Sequence, residues 1–372
     1  MTTILDRLAA SAAGTDAATN ERLAQELESI RARFKQAAED LDGARFASPD
    51  GKGREIEELP WYVMIGAPGS GKTTALINSG LRFPLYAKES TPSVPGVGGT
   101  RNCDWWFSDE AVLLDTAGRY TTQDSDRKAD AAAWQGFLAL LKQSRPQRPL
   151  NGALVTVSVM DLLLWSKAER SKFATHVRMR LSEMYAALES RFPVYVLVTK
   201  VDMLAGFTEF FGDLDMTGRA QVWGTTFPLD IDPALIAAPY ARDFAVLEDR
   251  LGAEMLARLH EERDLQRRAS IYRFPQQFHA MGPLVGEFIA QAFGTQVNHK
   301  PLQLRGVYFT SGTQEGNPID RVLAALSRTF KLERGATTGL GGTGKSFFLT
   351  RLLREVVFSE AELAKLDEPV PT

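Results

Sequence analysis

Cysteine is almost missing from this chain. Cys103 is the single thiol in 372 residues, which excludes an internal disulfide framework and a cysteine-built zinc site. One thiol fits a reducing compartment. The four histidines are scattered without metal-ligand spacing. No run of about 18 apolar residues occurs, so the sequence contains no transmembrane helix. The N-terminus also lacks the basic-then-apolar layout of a secretory signal. Neither sign of charge dominates: 43 basic residues meet 46 acidic ones, for a net charge of −3. A chain that coats nucleic acid needs a dominant basic surface, so nucleic acid is not an expected partner. Apolar material is plentiful. A hydrophobic fraction of 44% is enough for sizeable cores in two or three domains.

The strongest local signal is Trp61-Tyr-Val-Met-Ile65 followed by Gly66-Ala-Pro-Gly-Ser-Gly71-Lys72-Thr73. It reads as a short apolar strand running into the pattern G-x-x-x-x-G-K-[ST], with a helix over about 73–80. Glycines at 66, 69 and 71 let successive N–H groups turn inward around phosphate oxygens with no Cβ in the way. The loop ends at a helix N-terminus, whose unpaired amides and dipole favour an anion. The expected nucleotide-binding set is therefore Gly66, Ala67, Pro68, Gly69, Ser70, Gly71, Lys72, Thr73 and Thr74. Lys72 would reach the β- and γ-phosphates, and the Thr73 hydroxyl would hold Mg²⁺.

In chain order, residues 1–19 are rich in Ala, Thr and Ser. Leu23, Leu27, Ile30, Phe34, Ala37 and Leu41 then recur at helical spacing behind Asn20 as a cap, which predicts an amphipathic helix docked on the main domain. Ser48–Gly53 reads as a linker. Beyond the phosphate loop, the Pro/Gly-rich stretch Thr91–Thr100 is a polar loop. Strand-like runs follow at Asn102–Phe107 and Ala111–Leu114, joined as a hairpin. The second run ends in Asp115-Thr-Ala-Gly118. An acid closing an apolar strand about 40 residues after a phosphate loop is where such enzymes keep the carboxylate that acts on Mg²⁺. Gly152–Val159 and Pro193–Val198 are continuous apolar runs, expected as buried parallel strands, with a helix over Ser166–Ser190 between them.

From Met203 to about Lys300 strand signals stop, which predicts an all-helical insertion with helices near Leu204–Phe211, Phe244–Leu265 and Ala280–Phe293. Its aromatics, Phe207, Phe210, Phe211, Trp223 and Phe227, read as the insertion's own core. Arg263, Arg267 and Arg268 read as a solvated helix face. A strand returns at Arg305–Phe309, and a helix near Ile319–Phe330 is expected to close the domain. Gly339-Leu-Gly-Gly-Thr-Gly344-Lys345-Ser346 satisfies the phosphate-loop pattern again, but no apolar strand precedes it and only 26 residues follow. It is read as a Gly/Thr linker to a helix at Phe347–Val357, followed by a charged tail.

The expected fold is α/β: a P-loop GTPase-like doubly wound sheet with an all-helical insertion and helical N- and C-terminal extensions. The division is 1–50 for the N-terminal helical segment, 54–202 with 303–332 for the P-loop domain, 203–302 for the insertion, and 333–372 for the linker and tail.

The order of the elements resembles the translation-factor-like GTPases. That resemblance implies Thr100 as the switch I threonine, a further Mg²⁺ ligand, and Asp115–Gly118 as switch II, with the Gly118 amide on the γ-phosphate. It also implies that Thr199-Lys200-Val201-Asp202 is similar to the guanine-reading [NT]-K-x-D motif. There Asp202 would accept from guanine while the Lys200 stem packs on the base. Thr310-Ser311-Gly312 falls where the last base-contacting loop would be. Ras-like GTPases place a water-orienting Gln after Asp-Thr-Ala-Gly. Here Arg119 stands there, and it cannot accept a hydrogen bond from water. Arg119 would instead stabilise transition-state charge in cis, with Tyr120 or Gln123 as water-positioning candidates. Pro68 within the loop is a variant shared with ATPases.

Longer phrases narrow the match. Glu58–Gly66, Gly80–Leu85, Gly99–Phe107, Leu114–Asp124 and Arg305–Gly316 all resemble TssM (IcmF-like) proteins, over about 55–330. The resemblance implies the cytoplasmic portion of a large inner-membrane protein of the type VI secretion system. Its partners would be other membrane-complex and baseplate subunits, and it would meet the membrane only through segments outside this chain. The cofactors expected are GTP or ATP with Mg²⁺. Three functions stay open on these residues: a GTP-preferring switch with slow intrinsic hydrolysis, an ATPase energising assembly or secretion, and a scaffold whose nucleotide is structural.

Overall fold

The computed structural model describes residues 58–83, 103–122, 127–295, 301–312 and 346–366, together with Gln25, Glu28 and Ala32. Most of the expected N-terminal helix, the Ser48–Gly53 linker, the Thr91–Thr100 loop, the Ile319–Phe330 helix and all of the second glycine-rich motif but Ser346 lie outside the described residues.

The apolar run at Trp61 forms β1 (Trp61–Gly66), buried along its whole length, and the phosphate-loop pattern leads into α1 (Lys72–Ile77). The hairpin follows as β2 (Cys103–Phe107) and β3 (Val112–Thr116). Ser108 closes its turn: its amide donates to the Ala111 carbonyl at 3.0 Å, and its Oγ accepts from the Ala111 amide at 2.9 Å. After β3 come α2 (Gly118–Thr122) and α3 (Arg127–Ser144). The second buried run is β4 (Gly152–Ser158), continued by α4 (Val159–Leu164) behind a Ser158 cap. α5 (Lys167–Leu188) starts from a full capping box. The Ser166 amide donates to Glu169 Oε2 at 2.6 Å, and the Glu169 amide donates to Ser166 Oγ at 3.3 Å. Short β5 (Ser190–Arg191) precedes β6 (Val194–Thr199).

The insertion holds α6 (Phe207–Phe211) and α7 (Met216–Ala220), then β7 (Gly224–Thr226). Three longer helices follow: α8 (Ala237–Glu261), α9 (Leu265–His279) and α10 (Gly282–Phe293). Two expectations are corrected here. The insertion is not all-helical, because β7 pairs antiparallel with β8 (Leu304–Phe309) and extends the main sheet. Nor does one helix run through Phe244–Leu265. The Asp264 carboxylate caps a new helix by accepting from the Arg267 amide at 2.8 Å, and Arg268 donates to the Glu262 carbonyl at 2.9 Å, closing the end of α8. Arg267 pairs with Glu262 at 2.7 Å, so this basic cluster trims a helix junction. The five insertion aromatics do pack as core, though in one cluster with the main sheet: Phe207, Phe210 and Phe227 are fully buried, and Trp223 packs on Phe211 at 5.4 Å between ring centres.

The main sheet has seven strands in the order β2-β3-β1-β4-β6-β8-β7. The pairings β3–β1, β1–β4, β4–β6 and β6–β8 are parallel, and only the two edge pairings are antiparallel. Alternation along each strand sends residues to opposite faces. Trp61, Val63 and Ile65 join one core with Trp134, Phe137, Val177 and Leu181, while Tyr62 and Met64 join the other.

That second core is completed from the C-terminal end. Phe347 forms an isolated bridge with Ser311, and the chain becomes helical only from Thr350. It continues through wide π-type turns over Leu352–Val357 and tight turns over Phe358–Leu363 to β9 (Lys365–Leu366), which pairs with β5. Leu349, Leu352, Leu353 and Val357 are buried against Tyr62, Met64, Tyr195 and Tyr308. Tyr62 donates to the Val357 carbonyl at 2.8 Å, Tyr195 to Glu360 at 2.8 Å, and Arg305 grips Glu360 at 2.6–2.9 Å. The expected helix-and-tail is thus a packed layer of the fold as far as Leu366.

Candidate functional site

The turn after β1 is shaped by close approaches. A Cβ on Gly66 would lie 2.2 Å from Thr156 Oγ1 and 2.5 Å from the Thr156 carbonyl, so only glycine passes β4 there. Gly69 and Gly71 have φ of 72° and 90°, in the left-handed region. Ser70 Oγ and Thr156 Oγ1 lie 2.7 Å apart, and Thr199 Oγ1 at the end of β6 donates to the Ser70 carbonyl at 2.6 Å. The loop is therefore held from two neighbouring strands.

Lys72 is buried and curls over its own loop, donating to the Gly66 and Ala67 carbonyls at 3.1 Å each. Burial pushes its pKa down, and the Asp115 and Asp161 carboxylates pull it back up. The Thr73 hydroxyl donates to Asp115 Oδ2, at the C-terminal end of β3. Two hard oxygens thus stand side by side, the donor chemistry Mg²⁺ prefers.

α2 rests on the loop. A Cβ on Gly118 would lie 2.3 Å from the Pro68 nitrogen, and the Gly66 amide donates to Thr121 Oγ1 at 3.1 Å. Arg119 is half-buried between these contacts. It pairs with the fully buried Asp130 of α3 at 3.1 Å, and its guanidinium lies 4.9 Å from the Tyr120 ring centre. Tyr120 is completely buried and packs toward Trp134. That corrects the expectation of a water-positioning Tyr120, since its ring belongs to the core. Thr100 and Gln123 lie outside the described residues.

Thr199–Asp202 and Ser311–Gly312 complete the cluster. A Cβ on Gly71 would sit 3.7 Å from Lys200 Cε, so the Lys200 stem runs along the loop. Lys200 has φ of 60°, a left-handed turn that redirects the chain after β6. Ser311 Oγ donates to Asp202 Oδ1, and the Val201 amide donates to the Thr310 carbonyl at 3.3 Å. Burial pushes the Asp202 carboxyl up to about 6 against the Ser311 hydrogen bond and Lys200. Gly312 touches α1, because a Cβ there would lie 3.0 Å from Thr74 Cγ2. Every expected site residue that is described falls in one cluster at the C-terminal ends of β1, β3, β6 and β8. Sequence reading missed Thr121, Asp130, Thr156 and Asp161. Asp161, in the first turn of α4, has its pKa raised by burial while Lys200 and Lys72 pull it down. No motif spacing assigns these four to the site, because their places in it depend on which elements pack together.

A model of the IcmF-related N-terminal domain matches residues 127–370. The chain belongs to this family. It is also 51% identical over 343 residues to the type VI secretion system component TssM1 of Pseudomonas aeruginosa, covering 91% of this chain and 31% of that protein. The IcmF-related chain thus spans about a third of the length of that relative. Among solved structures, the signal recognition particle receptor SRb-GTP/SRX complex from Chaetomium thermophilum aligns at 19% identity. It covers 39% of this chain and 70% of that one, with a TM-score of 0.27, a likeness too low to carry an argument. Among the described residues, no helix is long and apolar enough to cross a membrane.

Proposed function

We propose that this IcmF-related chain is a P-loop GTPase-like, doubly wound domain that binds a nucleoside triphosphate with Mg²⁺, GTP preferred. It would act as a nucleotide-controlled switch with slow intrinsic hydrolysis. The observation that carries the reading is the meeting of Thr73 and Asp115 beside a glycine cradle whose lysine is buried with it. Lys72 and the loop amides would take the phosphates. Thr73 and Asp115 would hold Mg²⁺, with Thr100 from the sequence pattern; bound there, the ion would neutralise charge between the phosphates. Asp202, steadied by Ser311, would accept from the guanine donors that adenine lacks, and a buried carboxylate left unmet by adenine supports selectivity. Kinship with TssM1 supports a place in the type VI secretion membrane complex. The domain would sit on the cytoplasmic side, where nucleotide is available, and would contact other subunits of the machine.

Titration with fluorescent GTP and ATP tests this. Wild type is expected to prefer GTP, and Lys72→Ala to weaken binding about a hundredfold, as loss of a charged partner at a desolvated site does. A wild type that binds neither nucleotide at about 1 mM, a concentration worth only about 4 kcal/mol, defeats the proposal. Equal affinity for ATP, unchanged in Asp202→Asn, defeats the guanine preference and leaves the ATPase reading.

A further inference from the structure

Arg119 is the residue of this site whose charge is already committed. It follows Gly118 directly on α2, the helix that rests on the phosphate loop through Gly118 on Pro68 and Thr121 on Gly66. Its guanidinium nevertheless pairs at 3.1 Å with Asp130 of α3, and a second nitrogen lies 3.4 Å from the Tyr120 hydroxyl. The two partners differ sharply in burial: the Asp130 side chain is 1% exposed and that of Arg119 is 31% exposed. A buried carboxylate cannot leave its place cheaply, whereas a half-exposed arginine on a four-bond stem can swing. The movable member of the pair is the one on the helix that rests on the phosphate loop.

We infer that Asp130 is a positioning residue that withholds Arg119 from the triphosphate, so that hydrolysis stays slow until the pair is parted. This rests on the nucleotide reading above and names how that site is regulated. In the step restrained, water oxygen bonds to the γ-phosphorus while the bond to the bridging oxygen breaks. The electron pair leaves with the diphosphate, and the proton of the attacking water ends on the phosphate products. Negative charge gathers on the bridging oxygen and the γ-oxygens, which a guanidinium would stabilise. Arginines supplied to such transition states are worth about 10³–10⁵ in rate. A latch that frees Arg119 in about one molecule in a hundred lowers a rate that depends on it about a hundredfold. A subunit that competes for Arg119 or draws α3 away would then release turnover.

The test uses the full chain with GTP and compares wild type, Asp130→Asn, and Asp130→Asn combined with Arg119→Ala. Asp130→Asn is expected to bind GTP as wild type does, to hydrolyse it about tenfold or more faster, and to bind GDP with aluminium fluoride more tightly. The double variant is expected to show neither gain. Asp130→Glu, which restores the charge, is expected to return hydrolysis toward the wild-type rate. An Asp130→Asn protein that binds GTP but hydrolyses it at the wild-type rate overturns the inference, as does a gain that survives loss of Arg119. If Asp130→Asn does not fold, Tyr120→Phe removes the lesser hold and keeps the buried ring: a rise in rate of about twofold that needs Arg119 supports the latch, and an unchanged rate overturns it. A wild type that binds no GTP overturns the nucleotide reading itself, a result the binding titration separates from failure of the latch.

Discussion

Ionised Asp202 sits where burial disfavours its charge, and its pKa is accordingly near 6 instead of 3.8. Between those values the folded state holds the proton that the unfolded state has lost, so stability falls as pH rises through that window. The cost at pH 7 is at most about 3 kcal/mol, since each tenfold change in acidity is worth about 1.4 kcal/mol. Asp202→Asn, whose oxygen can still accept from Ser311, is therefore expected to raise the melting temperature at pH 7, to have little effect near pH 3.5, and to erase the GTP preference. The affinity of wild type for GTP is expected to drop as pH falls through about 6, a trend that titrations from pH 5 to 8 would follow and Asp202→Asn would lack. Residues of this kind are legible in sequence because nucleotide-binding motifs prescribe residue type at fixed spacing. Asp130 was not, since an acid on an amphipathic helix looks like any solvated charge until α3 is laid against α2.

At the scale of elements, the segment from Ser346 to Leu366 departs furthest from its sequence pattern. Its motif G-x-x-x-x-G-K-S carries the pattern without the context: Ser346 leads into the Ser311–Phe347 bridge, and Phe348 has φ of 63°, where a phosphate loop would enter a helix. The turns beyond Phe348 act as a structural clamp. Glu360 accepts from Arg305 and Tyr195 with its side chain only 17% exposed. Glu360→Ala leaves that guanidinium and phenol unmet and is expected to cost about 2–4 kcal/mol, read as a lower urea midpoint with an unchanged slope. The clamp was illegible because wide and tight turns do not keep the 3.6 period, and β7 escaped because Gly-Thr-Thr is too short to alternate. The parallel strands were readable for the opposite reason: buried on both faces, they appear as unbroken apolar runs.

At the scale of the molecule, the sheet draws strands from Trp61 to Phe309, and its second face is covered by α1 together with the segment beyond Ser346. A chain cut before Ser346 would leave Tyr62 and Tyr195 without the segment that meets them, and it is expected to collect in the insoluble fraction, with any soluble remainder binding a hydrophobic dye. The hydrogen bond from Tyr62 to Val357 joins residues 295 apart in the chain. During synthesis at about 5–20 residues per second, the first strand therefore waits about 15–60 s for its cover to be made. Throughout that interval Tyr62 lacks the segment that completes its core, so the yield of this domain in the cell is expected to depend on elongation speed and chaperone capture as well as on its final stability.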